Sequence, residues 1–488
     1  MPELQSIPPP AARAGVPIWQ RLVGPIRLAY LPVLITYFAY GASTITGIAI
    51  LFFEKDALGI TPAEAAGIAF WVALPWSTKM VAGVASDVYP ILGSRRRSYL
   101  LLGAGLSIAG YACLATVVET KGAFLAALVV ITVGYMVQDV VADALSVEVA
   151  RSDEETAQVQ ALGRMALLVG SISVGYLGGV LAGVLGPRLV FALAMVLPAA
   201  VAGAALLVRA ERPAPSPARS EGGPLASGKA RTILAVGLAY ATLGVVLESL
   251  SVAYAQEIVL GVSGVLIVLL LGHVGTSRPV AVAAFAIFVF RAVPGVGQGY
   301  SYWAIDRLGF DQQFLGVLAQ ASSVLGLAGL VVFRRVITER PVSFTLFWVT
   351  VAGSVLYLPS IGLFYGANEW LGLSPRTFAF IDTTISAPLA QLSMVPMLAL
   401  IARTAPRGAE ATMFAIMASL MNLALSASEL GTRYLNTAFA VSQQDYSNLG
   451  QLMIAVGVIG LLPLLALPLL RQQERGTTRV PAPRRADA

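Results

Sequence analysis

The sequence predicts an all-α polytopic membrane protein built from two six-helix bundles, with an extra two-helix hairpin between them. Hydrophobic residues make up 57% of the 488 residues and charged residues only 12%, whereas ordinary soluble domains carry about 25% charge. The mean hydropathy is +0.78. The apolar residues form runs long enough to cross a bilayer, which takes about 20 residues, and a polar stretch near the middle of the chain divides these runs into two groups.

The first six apolar runs predict the N-terminal bundle, residues 30–208. They lie near residues 30–53, 62–87, 98–118, 122–148, 158–186 and 188–208. The polar stretch that follows, residues 209–231, is rich in Pro, Ser and Gly and cannot form a packed core. We therefore expect a cytoplasmic linker there.

Eight further runs follow the linker. Two of them, near residues 232–254 and 257–273, predict the extra hairpin, residues 232–273. Because Glu248 interrupts the first run and the turn is short, the alternative is a peripheral or re-entrant hairpin, with twelve crossings instead of fourteen. The C-terminal bundle, residues 274–470, is predicted from runs near residues 279–304, 313–333, 343–365, 377–402, 409–438 and 449–470.

The distribution of Lys and Arg indicates the orientation, because cytoplasmic loops carry an excess of these residues. With the N-terminus inside, the outer loops hold mostly single charges such as Lys55 and Lys121. Residues 1–29 and 471–488 are therefore predicted to be cytoplasmic tails, and the simple tail suggests a bacterial inner membrane. The inner loops and the N-terminal tail hold Arg13, Arg21, Arg27, Arg95, Arg96, Arg97, Arg334, Arg335, Arg340, Arg403 and Arg407.

Composition excludes several classes of function. The chain has one cysteine, Cys113, and one histidine, His273, so His/Cys metal sites and Cys–His nucleophile pairs are excluded. No nucleophile–base pair is recognisable, and we expect neither an enzyme nor a bound cofactor or metal. The net charge of +6 comes from arginines scattered between apolar segments, which argues against a nucleic-acid partner.

The loop between the second and third helices carries a motif. It reads GVASDVYPILGSRRR, from Gly83 to Arg97, and resembles the cytoplasmic signature of the major facilitator superfamily. The glycine allows close helix approach, and Asp87 with Arg95, Arg96 and Arg97 can act as a latch between the cytoplasmic ends of the two halves. Positive-inside charge alone is the alternative explanation. Such transporters hold their substrate near the bilayer midplane, between two six-helix halves.

Four sequence blocks carry a more specific resemblance: LPWSTKMVAGVASDVYPILGSRRRSYL, QDVVADALSVEVAR, LGFDQQFLGVLAQASSVLGLAG and APRGAEATMFAIMASLMN. Together they resemble the folate-biopterin transporter family of that superfamily. The resemblance covers the chain from about Leu31 to Leu470 and implies transport of a folate or a pterin. One departure is Met80, which follows Lys79 where the family usually has proline.

Asp139 and Asp143 lie inside the apolar fourth run. A charge at the bilayer centre costs about 2.5–3.5 kcal/mol, so such residues normally face a cavity or the bundle interior and have partners. A spacing of four residues places both acids on one helical face. Lys79 lies at the same depth as Asp139, roughly 12 Å from the cytoplasmic end at about 1.5 Å per residue. We therefore predict that Lys79 pairs with Asp139 for substrate binding or proton coupling; a static ion-pair cluster that fixes helix packing is the alternative.

The remaining candidates divide into two groups. Asp143, Glu148 and Arg164 are assigned, with Asp87 and the three arginines of the loop, to a gate network. Further candidates for binding the solute or coupling to protons are Gln138, Arg291, Asp382, Tyr37 and Tyr40. Arg291 precedes Pro294, Gly295 and Gly297, which predict a break in that helix.

The predicted function is secondary active transport by alternating access. The chain has no GxxxxGK[ST] stretch for ATP binding, and its titratable intramembrane groups favour proton symport. The expected partners are a small organic solute such as a folate, a pterin or another organic anion, protons and the lipid bilayer. The alternative is a non-transporting membrane assembly or pigment-delivery factor, which need not keep a cavity pair such as Lys79 and Asp139.

Overall fold

The computed structural model describes residues 26–208, 227–274, 277–390, 392, 394–404 and 410–477. The predicted cytoplasmic tails, apart from a few residues at their inner ends, and most of the predicted linker lie outside these described residues.

Thirteen helices of the described chain are long and apolar enough to cross a membrane. The six of the N-terminal half are α1 Leu28–Ala57, α2 Pro62–Val88, α3 Arg97–Thr116, α4 Lys121–Glu148, α5 Glu154–Leu185 and α6 Pro187–Ala205. Two more, α7 Ala230–Ser249 and α8 Ala255–Gly272, form the hairpin. Both hairpin helices have spanning length. If the interrupted segment described next is counted as one further crossing, this favours fourteen crossings over twelve.

The C-terminal half begins with an interrupted helix. The helix α9, Arg278–Arg291, stops before Pro294, and the chain resumes helical structure as α10, Gln298–Leu308. Gly297 between them has a φ of +63°, a conformation that glycine adopts without strain. Five spanning helices follow: α11 Gln312–Phe333, α12 Val342–Phe364, α13 Pro375–Ile401, α14 Met413–Ala438 and α15 Leu449–Glu474. The break predicted from the prolines and glycines is therefore present.

The two halves meet along two helix pairs, α2 with α14 and α5 with α11. A Cβ on Gly179 of α5 would lie 2.3 Å from the Gln312 carbonyl oxygen and 2.7 Å from the Gly316 Cα. The two glycines therefore allow the helix backbones to touch, as small residues do in membrane helix pairs. In the other pair, the Asn422 side chain donates a hydrogen bond of 3.0 Å to the Trp76 carbonyl.

The hairpin connects the two halves on one side of the protein. Its Gln256 donates a hydrogen bond of 3.0 Å to the Gly67 carbonyl of α2. The same amide accepts a bond of 2.9 Å from Arg433 of α14. Gln256 is buried, so this single side chain joins the hairpin, the N-terminal half and the C-terminal half. The contact lies at the end of the protein that holds residues 57–62, the predicted external end.

We expect Gln256→Leu to destabilise the protein. The substitution keeps the volume roughly constant but removes two hydrogen bonds from a buried position, a cost of about 1–3 kcal/mol when the partners stay unpaired. A thermal unfolding scan of the purified protein measures the effect. The control is Tyr434→Phe, which removes an exposed hydrogen bond to Glu257 between the same two helices and should have a much smaller effect. Equal melting temperatures for wild type and Gln256→Leu would contradict the bridging role.

Candidate functional site

A kink in α2 positions Lys79. Pro75 lies inside the helix, where it cannot donate a backbone hydrogen bond and its ring displaces the preceding turn. The helix is interrupted at Thr78 and starts again at Lys79. The kink therefore changes the direction of the helix just before Lys79, where the α2 backbone is irregular.

Lys79 forms an ion pair with Asp139 of α4, as predicted. Its Nζ also lies 3.7 Å from an Asp143 carboxylate oxygen. The Asp139 side chain is only 7% exposed, whereas that of Asp143 is 47% exposed. One ammonium therefore bridges a buried and an accessible carboxylate.

Tyr37 and Arg164 complete this cluster. The Tyr37 hydroxyl donates a hydrogen bond to Asp143, and the Arg164 guanidinium lies 5.8 Å from the Tyr37 ring centre. The structure therefore groups Asp143 and Arg164 with Lys79, not with the loop arginines to which sequence reasoning assigned them. Two cations and two acids face each other, and their formal charges balance.

Aromatic rings extend from the cluster into the N-terminal half. The Lys79 Nζ lies 5.6 Å from the Trp76 ring centre, and the Tyr40 ring lies 5.2 Å from that of Trp76. The Tyr135 ring centre lies 5.7 Å from that of Tyr40, with the two rings tilted by 40°. A planar heteroaromatic solute would find flat apolar faces beside a cation here.

Gln138 is not where the sequence analysis expected it. Its side chain is 0% exposed and packs against α3, where a Cβ on Gly103 would lie 2.8 Å from the Gln138 Cγ. Neither atom of its amide has a hydrogen-bond partner among the described residues. Because consecutive helical residues point about 100° apart, Asp139 faces Lys79 while Gln138 faces α3. Gln138 is therefore inaccessible to a solute in this conformation.

The predicted latch centres on Arg96. Its guanidinium lies 2.8 Å from Asp87 and 2.7 Å from Glu148, and it donates to the Ser86 hydroxyl at 3.0 Å. Burial disfavours the charged form of Arg96, but the hydrogen bonds and charges of the two acids outweigh burial and raise the pKa of Arg96 above its usual value.

All three partners of Arg96 belong to the N-terminal half. The latch therefore connects α2 to α4. The sequence analysis expected it to join the two halves, and in this conformation it does not. Of the other two arginines, Arg97 is held through its backbone N–H, which donates to the Ser94 hydroxyl at 3.1 Å, and Arg95 is partly exposed.

The C-terminal candidates lie apart from the Lys79 cluster. Asp382 accepts a hydrogen bond of 2.7 Å from Ser360, so its partner is in its own half. Arg291 ends α9 immediately before the break, and its Nε is buried without a hydrogen-bond partner among the described residues. A cation with unused donors at an interrupted helix suits the binding of an anionic group.

Sequence reasoning missed a cross-half contact at the external end. Lys55 of α1 lies 2.6 Å from Asp306 of α10, and Asp306 also accepts 2.6 Å from the Tyr446 hydroxyl. Gln443 donates to the carbonyls of Lys55 at 3.3 Å and Ile60 at 2.8 Å. We call Lys55, Asp306, Gln443 and Tyr446 the external gate. The sequence does contain a signal for this contact, because Lys55 and Asp306 are opposite charges at the outer ends of the first helix of each half.

The two ends of the protein differ in accessibility. The external gate joins the two halves, and its Lys55 side chain is only 10% exposed. At the opposite end, the side chains of Asp87 and Glu148 are about half exposed, as is that of Asp143 deeper inside. The external gate is therefore closed, and of the two acids paired with Lys79 the one nearer the predicted cytoplasmic end, Asp143, is the exposed one.

Comparison with known proteins decides the family. The BT1 family profile matches residues 41–483 of the chain. The chain belongs to the BT1 family. The folate-biopterin transporter of Synechocystis sp. is 30% identical over 443 residues, which cover 90% of this chain and 81% of that protein. Folate transporter 1 of Plasmodium falciparum is 20% identical, with 88% of this chain and 77% of that protein covered. The predicted family is confirmed.

Solved structures confirm the fold of this BT1 family protein. A POT family transporter in complex with 5-aminolevulinic acid matches with a TM-score of 0.67 at 14% identity, covering 92% of this chain and 96% of that one. A D-xylose-proton symporter matches with a TM-score of 0.59 at 13% identity, covering 91% and 96%. The protein is thus a multi-pass membrane protein with the major facilitator fold. It is a transporter of small solutes and not an enzyme.

We expect Arg96→Gln to destabilise the N-terminal half. Two acids would lose the cation they share, a cost of about 1–3 kcal/mol because both are partly exposed. Thermal unfolding of the purified protein measures this. Lys121→Gln is the matched control, since it breaks an exposed pair with Glu64, and exposed pairs contribute at most about 1 kcal/mol. An Arg96→Gln melting temperature no lower than that of Lys121→Gln would contradict the latch.

Proposed function

We propose that this BT1 family protein is a proton-coupled symporter of a folate or a pterin that works by alternating access. The observation that carries the proposal is the Lys79 cluster, in which one ammonium serves a buried and an exposed carboxylate. The names of the relatives, folate-biopterin transporter and folate transporter, support the solute class.

The cluster supports coupling through competition for Lys79. With both acids ionised, Asp139 and Asp143 occupy the ammonium. When a proton neutralises one of the acids, that acid no longer holds Lys79, and the ammonium can bind an anionic group of the solute. Proton and solute binding then favour each other, because each relieves the electrostatic cost that opposes the other.

The chemistry of the site supports a flat anionic solute. A pterin is a polar heteroaromatic ring, and folate adds a glutamate tail with two carboxylates. The faces of Trp76 and Tyr40 suit the ring. Lys79 and Arg164 on one side, and Arg291 on the other, could bind the carboxylates.

In alternating access, the external gate would open while the opposite end of the protein closes. In this conformation the external gate is closed, and solute and protons reach the Lys79 cluster from the opposite end. Opening outwards requires the Lys55–Asp306 pair to separate while the two halves rock about the α2–α14 and α5–α11 contacts. We propose that the protein sits in a bacterial inner membrane with both termini in the cytoplasm, as the excess of arginine at the opposite end supports.

We expect Lys79→Ala to reduce uptake of labelled folate and biopterin into proteoliposomes strongly at low solute concentration, without loss of folding. Removing one charge-assisted contact of about 1.5–3 kcal/mol should lower affinity about tenfold to a hundredfold. The matched control is Lys121→Ala, an exposed lysine at the external end, which should transport like wild type. Retained uptake by Lys79→Ala would contradict the site. Wild-type liposomes that accumulate neither solute would contradict the proposed substrates, and failure with a wider panel of organic anions would favour the assembly-factor alternative.

We expect collapse of the proton gradient to slow wild-type uptake. Asp139→Asn mimics the protonated acid, so this variant should exchange labelled solute for unlabelled solute but lose the stimulation by an imposed pH gradient. The measurement is uptake with and without a protonophore, in both proteins. Wild-type uptake that is unchanged by the protonophore would disprove proton coupling and leave solute transport intact.

A further inference from the structure

Glu54 of α1 carries a buried carboxyl group. It is 5% exposed, and its Oε2 has no hydrogen-bond partner among the described residues. It lies in a π-helical turn, Phe53–Ala57, that ends α1. Such turns are rare and occur often at functional sites.

The segment that holds Glu54 is packed into the protein. The preceding residue, Phe53, packs against Phe124 at 5.8 Å and Phe191 at 5.6 Å. The backbone N–H of Ile60 donates to the Glu54 carbonyl at 2.9 Å, and Gln443 of the C-terminal half holds Ile60 in turn. Closure of the external gate therefore fixes the segment that buries Glu54.

The charged and titratable groups around this segment are engaged elsewhere or are neutral. On α1, the Lys55 ammonium is bound by Asp306 and by Asp56. On α10, Tyr302 is buried, and its hydroxyl has no hydrogen-bond partner among the described residues. The remaining groups are Tyr446, which donates to Asp306, Glu64 of α2, which pairs with Lys121, and Arg188 of α6, which donates to the carbonyls of Thr116 and Val118.

An ionised Glu54 would be costly in this conformation. A buried charge without a partner costs several kcal/mol, and a carboxyl in such a place takes up a proton instead. Glu54 lies three residues from the end of α1, which is about 4.5 Å along the axis. Separation of the external gate would therefore bring water to this carboxyl and allow it to ionise.

We propose that Glu54 is a proton-binding residue of the external gate, which must be protonated for the two halves to close over it. When the gate opens again, the proton returns to the external solution. This proton is therefore not transported. It sets the pH at which the gate closes, a role distinct from the proposed proton coupling at Asp139.

The direction of the pH dependence follows from proton uptake on closing. Acid favours the closed gate, because the closed state binds one more proton than the open state. Over the range in which the open state is ionised and the closed state is protonated, the closing equilibrium changes about tenfold per pH unit. Alkaline solution favours the open gate.

The experiment measures the separation of the two halves at the external end. Spin labels are attached through Glu119→Cys and Trp370→Cys, two exposed positions in external loops of opposite halves, in a Cys113→Ser background. Double electron–electron resonance on the purified full chain gives the distance distribution between pH 5 and pH 9. We expect the short-distance population of the otherwise unchanged protein to grow as the pH falls.

Glu54→Gln mimics the protonated carboxyl, so its short-distance population should be high and independent of pH. Glu54→Met, uncharged and of similar volume, should behave like Glu54→Gln. This variant tests whether the effect is specific to the glutamine amide. The control is Asp311→Asn, an exposed acid at the external end that pairs with Arg376 and not with the gate, which should keep the pH dependence. A Glu54→Gln protein with the pH dependence of the parent would overturn the proposal, as would a parent protein without any pH dependence.

The same labels in an Asp139→Asn background separate this proposal from proton-coupled transport. Asp139→Asn should lose coupling but keep the pH dependence of the external gate. Glu54→Gln should lose the pH dependence of the gate, and its uptake should be slower because the gate stays mostly closed, but the remaining uptake should still respond to the proton gradient. Loss of the gate's pH dependence in Asp139→Asn would assign the gating proton to Asp139 and overturn the role of Glu54.

Discussion

Charge in the interior of a membrane must be neutralised, and here Lys79 pairs with both Asp139 and Asp143 while Arg164 supplies the second positive charge. The shared ammonium makes each acid's protonation state matter to the other. The kink at Pro75 brings Lys79 to this position, and Tyr37 orients Asp143. The same requirement that stabilises the cluster therefore makes it responsive to protons and to anionic solutes.

The contacts between the halves fall into two kinds. Glycines at the α5–α11 crossing let backbones touch without long side chains, so small rotations break few specific bonds. The external gate instead relies on a few charged and polar groups around Lys55 and Asp306. The contacts of such a polar group form together and break together. This suits a protein in which either the external or the opposite end is closed at one time. The hairpin adds Gln256 as a further bridge at the same end.

Much of the site was predictable because hydropathy and helix rise give depth. Lys79 and Asp139 could be matched across two helices from their distance to the ends alone, and the break after Arg291 followed from Pro294 and Gly297. Rotation about a helix axis was not predictable with the same accuracy. Gln138 was assigned to the binding site but faces α3, and Asp143 was assigned to the latch but contacts the Lys79 cluster.

The sequence by itself determined the membrane class, the spanning helices, the break after Arg291 and the matching depth of Lys79 and Asp139, because these depend on residues close together in the chain. Only the tertiary structure decided which distant helices face each other. It placed the Arg96 latch inside one half, joined Lys55 to Asp306 across the two halves, and buried Glu54 with one carboxylate oxygen unpaired among the described residues. Those outcomes depend on helix packing and on which end is closed, and no local pattern encodes either.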